Sequence, residues 1–262
     1  MLIPRRVLSA LTVCTDAESR RYALRGLRME RDGDKAFAIA TDGRRLMSVE
    51  WTDAAEDVDN IDFGGLDVKP AADSDFARDG CILSSKDCRD IARTAKPKVG
   101  VLKKRPGLEF IALEESSANG SVKLAASDGE TTATKTVKPL EGRYPKWRDV
   151  LPINRQRISY MTFQEAEANE NEGRGFMDRE ERQRHEELRK ATEGVTPDRQ
   201  SVVRIRVDAS FLAEIADAID KIACDDSSRS VDLIVPIDPS CPVVLEKVTE
   251  EITVRAVIMP HA

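Results

Sequence analysis

Residue types that could carry chemistry are scarce in this chain. It has two histidines, His185 and His261, and five cysteines, Cys14, Cys81, Cys88, Cys224 and Cys241, with no C-x-x-C spacing. A structural zinc needs four soft ligands at short, paired spacings, so this set argues against a metal site. The thiols read instead as core or surface cysteines of a reducing compartment. No glycine-rich phosphate loop is present, and two histidines offer no ready triad. The expectation is a binding protein, not an enzyme, with no catalytic residue, metal or cofactor.

Two sets of residues are suited to holding another molecule. The first lies in three distant segments: Ala-Thr-Asp-Gly-Arg-Arg-Leu-Met at 40–47, Gly-Arg-Tyr-Pro-Lys-Trp-Arg-Asp-Val-Leu-Pro at 142–152, and Ala-Val-Ile-Met-Pro at 256–260. Asp42-Gly43 between two apolar runs is a tight-hairpin signal, because glycine takes positive φ without steric cost. The second set is cationic. Lys86, Arg89, Arg93 and Lys96 recur along one polar side of a helix, with Arg5, Arg6 and Arg20 as further cations.

The elements that must position these residues follow from periodicity. A short strand at 2–4 leads into a helix over 5–14, whose buried stripe is Val7, Leu8, Leu11 and Cys14. Strands are predicted at 24–29, 35–39 and 47–51. A second strand at 81–83 precedes a helix to about residue 95, capped by Ser84 or Ser85. Strands at 100–103, 109–113, 122–126 and 131–137 follow, with Pro106-Gly107, Asn119-Gly120 and Asp128-Gly129 at turns. Residues 164–193 are dense in Glu and Arg and read as a linker or insertion, with a solvated helix at 177–191. A strand at 202–207, a helix capped by Asp208, and strands at 231–235, 242–246 and 252–258 complete the chain. One unit thus recurs, strand, amphipathic helix, antiparallel strands, and the fold class is α+β.

Composition limits the partners. In 262 residues, 40% are hydrophobic and 34% charged, and the net charge is −6, which leaves room for one basic surface on an acidic body. No run is long and apolar enough to span a membrane, and a cytoplasmic location is expected.

The three segments, in their order, resemble the bacterial DNA polymerase sliding clamp family, the DNA polymerase III β subunit. The resemblance implies a DNA-clamp fold of repeated strand–helix–strand units, helices lining one face and sheets the other. By likeness, residues 1–144 form one complete clamp-type domain, similar to the family's middle domain, and 145–152 a linker. Residues 153–262 would be a second domain whose first half is degenerate or replaced by a charged insertion at about 164–199. The family's first domain has no counterpart, so two domains per chain would need three copies to close a ring, and fewer would need four or none.

The resemblance also implies a pocket for short peptides, with Leu24, Thr41, Gly43, Arg45, Leu46, Pro145, Val150, Val257, Ile258, Met259 and Pro260 matching its positions. Sequence-independent attraction to double-stranded DNA would fall to Lys86, Arg89, Arg93 and Lys96, with Arg5, Arg6 and Arg20. Expected partners are DNA, polymerase or repair proteins with clamp-binding peptides, a clamp loader, and further copies of the chain. The implied function is that of a processivity factor encircling DNA and tethering replication proteins. The alternative is an adaptor of clamp fold that binds such peptides without encircling DNA, favoured by Glu214, Asp217 and Asp220 on the last helix.

Overall fold

In the computed structural model, which describes residues 1–53, 80–95, 109–115, 120–127, 132–151, 206–223, 230–235 and 241–260, two similar halves exchange their first strands. The first half is β1 (Leu2–Pro4), α1 (Arg5–Ala10), β2 (Gly26–Asp32), β3 (Lys35–Thr41) and β4 (Arg45–Thr52). The second is β5 (Cys81–Ser84), α2 (Ser85–Thr94), β6 (Phe110–Glu115), β7 (Val122–Ser127) and β8 (Thr132–Val137). Strand β1 pairs with β6, Ile3 opposite Ile111, to give the sheet β1-β6-β7-β8. Strand β5 pairs with β2, Leu27 opposite Leu83, in the other sheet. Strands of three and four residues cannot bury their apolar side chains alone, and each is completed by the other half's meander.

Beyond α3 (Trp147–Val150), the chain adds α4 (Ala209–Ile222), β9 (Asp232–Ile234), β10 (Val243–Val248) and β11 (Ile252–Ile258). Strand β11 pairs antiparallel with β4 along its length, Leu46 opposite Val257 and Trp51 opposite Ile252. The second sheet therefore runs β5-β2-β3-β4-β11-β10-β9, and residues 1–151 and 205–262 form one compact unit. This sheet crosses the boundary read in the sequence at 145–152.

Helices α1 and α2 pack against each other, as do α1 and α4, over the inner faces of the sheets. Ser84 caps α2 by accepting from the Asp87 amide at 3.2 Å, and Asp208 caps α4 by accepting from the Ser210 amide at 2.8 Å. The main core joins Ile3, Val7, Leu8 and Leu11 to Leu27, Leu83, Ile91, Ile111, Leu124, Ile215 and Ile219.

Expectation and structure differ in places. The helix expected over 5–14 is α-helical only to Ala10 and continues as a 3-10 turn over Leu11–Cys14. Residues 22–25 form another 3-10 turn, so β2 starts at Gly26 and not at residue 24. Of the strand expected at 202–207, residues 206 and 207 are not strand, and 202–205 lie outside the described residues. The strand expected at 100–103, the turns at 106–107 and 128–129, the stretch 153–200, Lys96, Cys224, His185 and His261 lie outside the described residues.

Gly26 is required by close approach rather than by its φ. A Cβ there would stand 2.4 Å from the Leu83 carbonyl oxygen and 2.8 Å from Ile82 Cγ2. Gly26→Val is expected to lower stability by about 1–3 kcal/mol in urea unfolding, the cost of overpacking a filled site.

Cys14, Cys81 and Cys88 are buried and chemically quiet. Burial pushes the thiols of Cys14 and Cys88 up to about 12, and raises that of Cys81 as well. Only the thiolate attacks alkylating agents. Iodoacetamide at pH 8 should leave all three unmodified by peptide mapping, and label them once urea is added. Because unfolded thiols ionise near pH 8.5, these three make unfolding easier as pH climbs from there towards 12, and contribute no such penalty below it.

Candidate functional site

Alternation along β3 divides its side chains between two cores. Ala36, Ala38 and Ala40 face the helices, whereas Phe37 and Ile39 face the other way. Leu46 of β4, Val244 of β10, Val257 of β11 and Ile82 of β5 share that outer face. An apolar face of this size has to be covered, and residues 140–151 cover it. Leu140 donates its amide to the Ile82 carbonyl at 2.8 Å, and Tyr144, Trp147 and Leu151 then settle onto the sheet.

Polar anchors fix this segment. The Tyr144 hydroxyl donates to the Ile39 carbonyl at 3.0 Å, and burial raises the phenol above its ordinary range, so it stays a neutral donor. Trp147 Nε1 donates to Glu30 at 3.2 Å. The Arg148 guanidinium pairs with the same carboxylate at 2.5 Å, and lies over the rings of Trp147 (4.3 Å) and Phe37 (5.3 Å). Arg28 Nε supplies a third donor to Glu30 at 2.9 Å. Glu30, nearly buried, is thus the polar centre of the outer face.

Between this segment and residues 21–24 lies a groove of about 430 Å³, lined by Arg21, Ala23, Leu24, Arg143, Tyr144, Pro145 and Lys146. Of the residues matched by resemblance, Leu24 and Pro145 line it directly. Leu46 and Val257 lie beneath, in the same apolar cluster as Tyr144 and Ala23. The hairpin corner is locked: the Thr41 hydroxyl donates to the Arg45 carbonyl at 2.7 Å, and Gly43 takes φ +91°. The Met259 amide donates to the Arg44 carbonyl at 3.0 Å, which ties the tail to the corner. Met259 and Val150 are exposed, at 44% and 40%, and Pro260 is half-buried, whereas Ile258 faces the main core.

Arg45 is placed otherwise than the resemblance implies. Its guanidinium turns inward, pairing with Asp42 at 3.0 Å and Glu214 at 2.6 Å, donating to the Val13 carbonyl at 2.6 Å, and lying 4.2 Å over the Phe211 ring. With its donors so used, it secures the corner to α4 rather than facing a ligand. Trp147, Arg148 and Glu30 were missed as site residues in the sequence. The Tyr-Pro-Lys-Trp run was the only signal, and nothing in it names Glu30 as partner.

Of the expected cations, Lys86, Arg89 and Arg93 are exposed on α2. Lys135 of β8 reaches Asp87 and Asp90 at 2.9 Å each; its ammonium is held above the ordinary range chiefly by Asp87, and Asp90 below its own by Lys135. The two acids of α2 are therefore answered from a neighbouring strand, and the three outward cations keep their charge. Arg6 pairs with Glu251 at 3.5 Å. Arg5 is half-buried with Nε enclosed, and burial lowers its pKa, while Arg20 sits in the bend before residue 21 and on no helix. These three are set apart from the α2 row by their local structure. Among the described residues, no group of His, Cys, Asp and Glu could hold a metal, and no helix is long and apolar enough to cross a membrane.

Glu30→Ala should leave Trp147 Nε1 and Arg148 without their acceptor and cost about 1–3 kcal/mol. The segment 140–151 should loosen first, read as faster amide exchange at 144–151 than in α1; equal exchange in variant and parent would refute its anchoring role.

No protein-family model matches this sequence, and no curated protein is significantly similar to it. Solved structures do match. The DNA polymerase sliding clamp of Pseudomonas aeruginosa superposes with a TM-score of 0.54 at 16% identity, covering 100% of this chain and 65% of that one. The DNA polymerase β subunit of Streptococcus pyogenes gives 0.54, 16%, 100% and 65%. The Helicobacter pylori β clamp, solved with 3,4-difluorobenzamide, gives 0.54, 14%, 98% and 63%. The chain thus spans just under two thirds of the length of these clamps, and its architecture is the α+β fold of the sliding clamp.

Proposed function

We propose that the protein is a clamp-type processivity factor that holds replication or repair proteins by short peptides and rides on double-stranded DNA. The observation that carries this reading is the meeting of three distant segments on one sheet face: hairpin corner, mid-chain Tyr-Pro segment and final strand. An apolar floor of Ala23, Leu24 and Pro145, backed by the buried Leu46 and Val257, suits Leu or Phe anchors, and the exposed Met259 is read as an adaptable rim. Pro145 lines this seat, and Val150 and Pro260 are read as its further borders, with Thr41 and Gly43 at the hairpin corner.

Residues 1–144 are read as one complete clamp-type domain and 153–262 as a second, of which α4 and β9–β11 form the latter half. Self-association has a ready device. Strand β4 already receives β11, and β8 holds the equivalent edge position in the other half. A further copy pairing at β8 would satisfy that edge, as closed assemblies do. Lys86, Arg89 and Arg93 supply phosphate attraction without base readout. Topological linkage would then hold a tethered enzyme at high local concentration.

A second reading, an adaptor that takes peptides without encircling DNA, is favoured by Asp217 and Asp220 on α4. Its acidity is partly answered within the chain, since Glu214 is engaged by Arg45 and Asp217 by Lys221.

Multi-angle light scattering joined to retention on nicked circular against linearised DNA separates the two. Encirclement predicts an oligomer retained on circles and lost on linearisation; a monomer retained on neither supports the adaptor. For the clamp reading, Lys86→Glu with Arg93→Glu should cut retention by about ten-fold at physiological salt, because lost phosphate contacts forfeit counterion release.

A further inference from the structure

The groove beside residues 140–151 has a one-signed rim. Its charged lining residues are Arg21, Arg143 and Lys146, with no carboxylate among the lining side chains. All three are exposed, and among the described residues none of them is in an ion pair. This is notable in a chain of net charge −6, where Arg28, Arg31, Arg45, Arg148, Lys35, Lys123, Lys135 and Arg255 are all committed to carboxylates. The floor between the three cations is apolar: Ala23, Leu24, Pro145 and the ring of Tyr144.

We propose that this groove selects peptides whose apolar anchor is flanked by Asp or Glu, with Arg21, Arg143 and Lys146 as the specificity-determining residues. The proposal rests on the groove being a peptide seat and adds to it the charge of the occupant. An apolar anchor fills the floor, and flanking carboxylates meet cations that have no internal partner to surrender. Each exposed pair contributes modestly, is screened by salt, and acts more on choice of partner and encounter rate than on tightness. Neutral peptides keep the anchor and lose the flanks.

A peptide is favoured over a nucleic-acid strand by the floor. Single strands bind by stacking bases on open aromatic faces. Tyr144 is buried with its hydroxyl spent on Ile39, and the exposed Tyr22 ring carries the Arg25 guanidinium at 4.6 Å.

The test uses the full chain and three fluorescent probes: a nine-residue peptide with a central Leu-Phe pair flanked by Asp and Glu, its Asn/Gln counterpart, and a nine-nucleotide oligothymidylate. Titrations run at low and high salt with the parent and with Arg143→Glu/Lys146→Glu. Both positions are exposed, and an unchanged melting curve checks the fold. The expected result is a preference of about ten-fold for the acidic peptide at low salt, shrinking at high salt and gone or reversed in the variant. Equal binding of both peptides to the parent overturns the charge selection and leaves the seat standing. Binding of neither peptide overturns the seat and with it this proposal. Tighter binding of the oligonucleotide than of either peptide, lost in the variant, overturns it in favour of a nucleic-acid strand.

Discussion

A sheet that is apolar on both faces must be covered twice, and most of this molecule follows from that requirement. The inner face of β5-β2-β3-β4-β11-β10-β9 is covered by helices, the arrangement any α+β layer adopts. The outer face carries Phe37, Ile39, Leu46, Ile82, Val244 and Val257, which would be a large exposed patch if left open. Residues 140–151 close part of it with two aromatic rings and a leucine. Their edge, where cover gives way to open surface, is where the groove arises. The groove and the structural cover are one feature, held by Glu30.

Charge is sorted with similar economy. Acids that would oppose the cations of α2 are engaged by Lys135, and Glu214 on α4 is engaged by Arg45. Such surface pairs contribute little to stability, but they decide which charges are left facing solvent. On α2 the remainder is positive, on the groove rim it is positive, and on α4 it is acidic at Asp220. Arg45 ties α4 to the hairpin corner, since one guanidinium pairs with Asp42 and Glu214 and donates to the carbonyl of Val13.

Much of this was legible in the sequence, for identifiable reasons. The strand–helix–meander repeat was written in local periodicity and in the caps at Ser84 and Asp208, both of which the structure bears out. The meeting of residues near 41, 145 and 257 was accessible only through resemblance, because no local pattern reports contacts across two hundred residues. The exchange of β1 and β5 between halves had no signal either, since a short apolar strand does not say which meander it joins. Arg45 shows the limit most clearly. The resemblance gave it a place in the peptide pocket, but a buried position beside Asp42, Glu214 and Phe211 turns it inward, and that environment is assembled from separate segments. Helix length at 5–14 and the start of β2 were misjudged because 3-10 turns keep the same apolar spacing as their neighbours.

The exchange of first strands has a consequence for how the molecule is made. Met1 offers its ammonium to the Leu113 carbonyl at 3.3 Å, and Leu2 lies opposite Ala112, so β1 finds its partner only across more than a hundred residues of intervening chain. Neither half can finish alone, because each sheet lacks a border until the other supplies it. Such high contact order slows folding and prolongs the time in which unpaired β6 is sticky. Once joined, each half holds an outer strand of the other's sheet, so loosening either one strips a border from its neighbour.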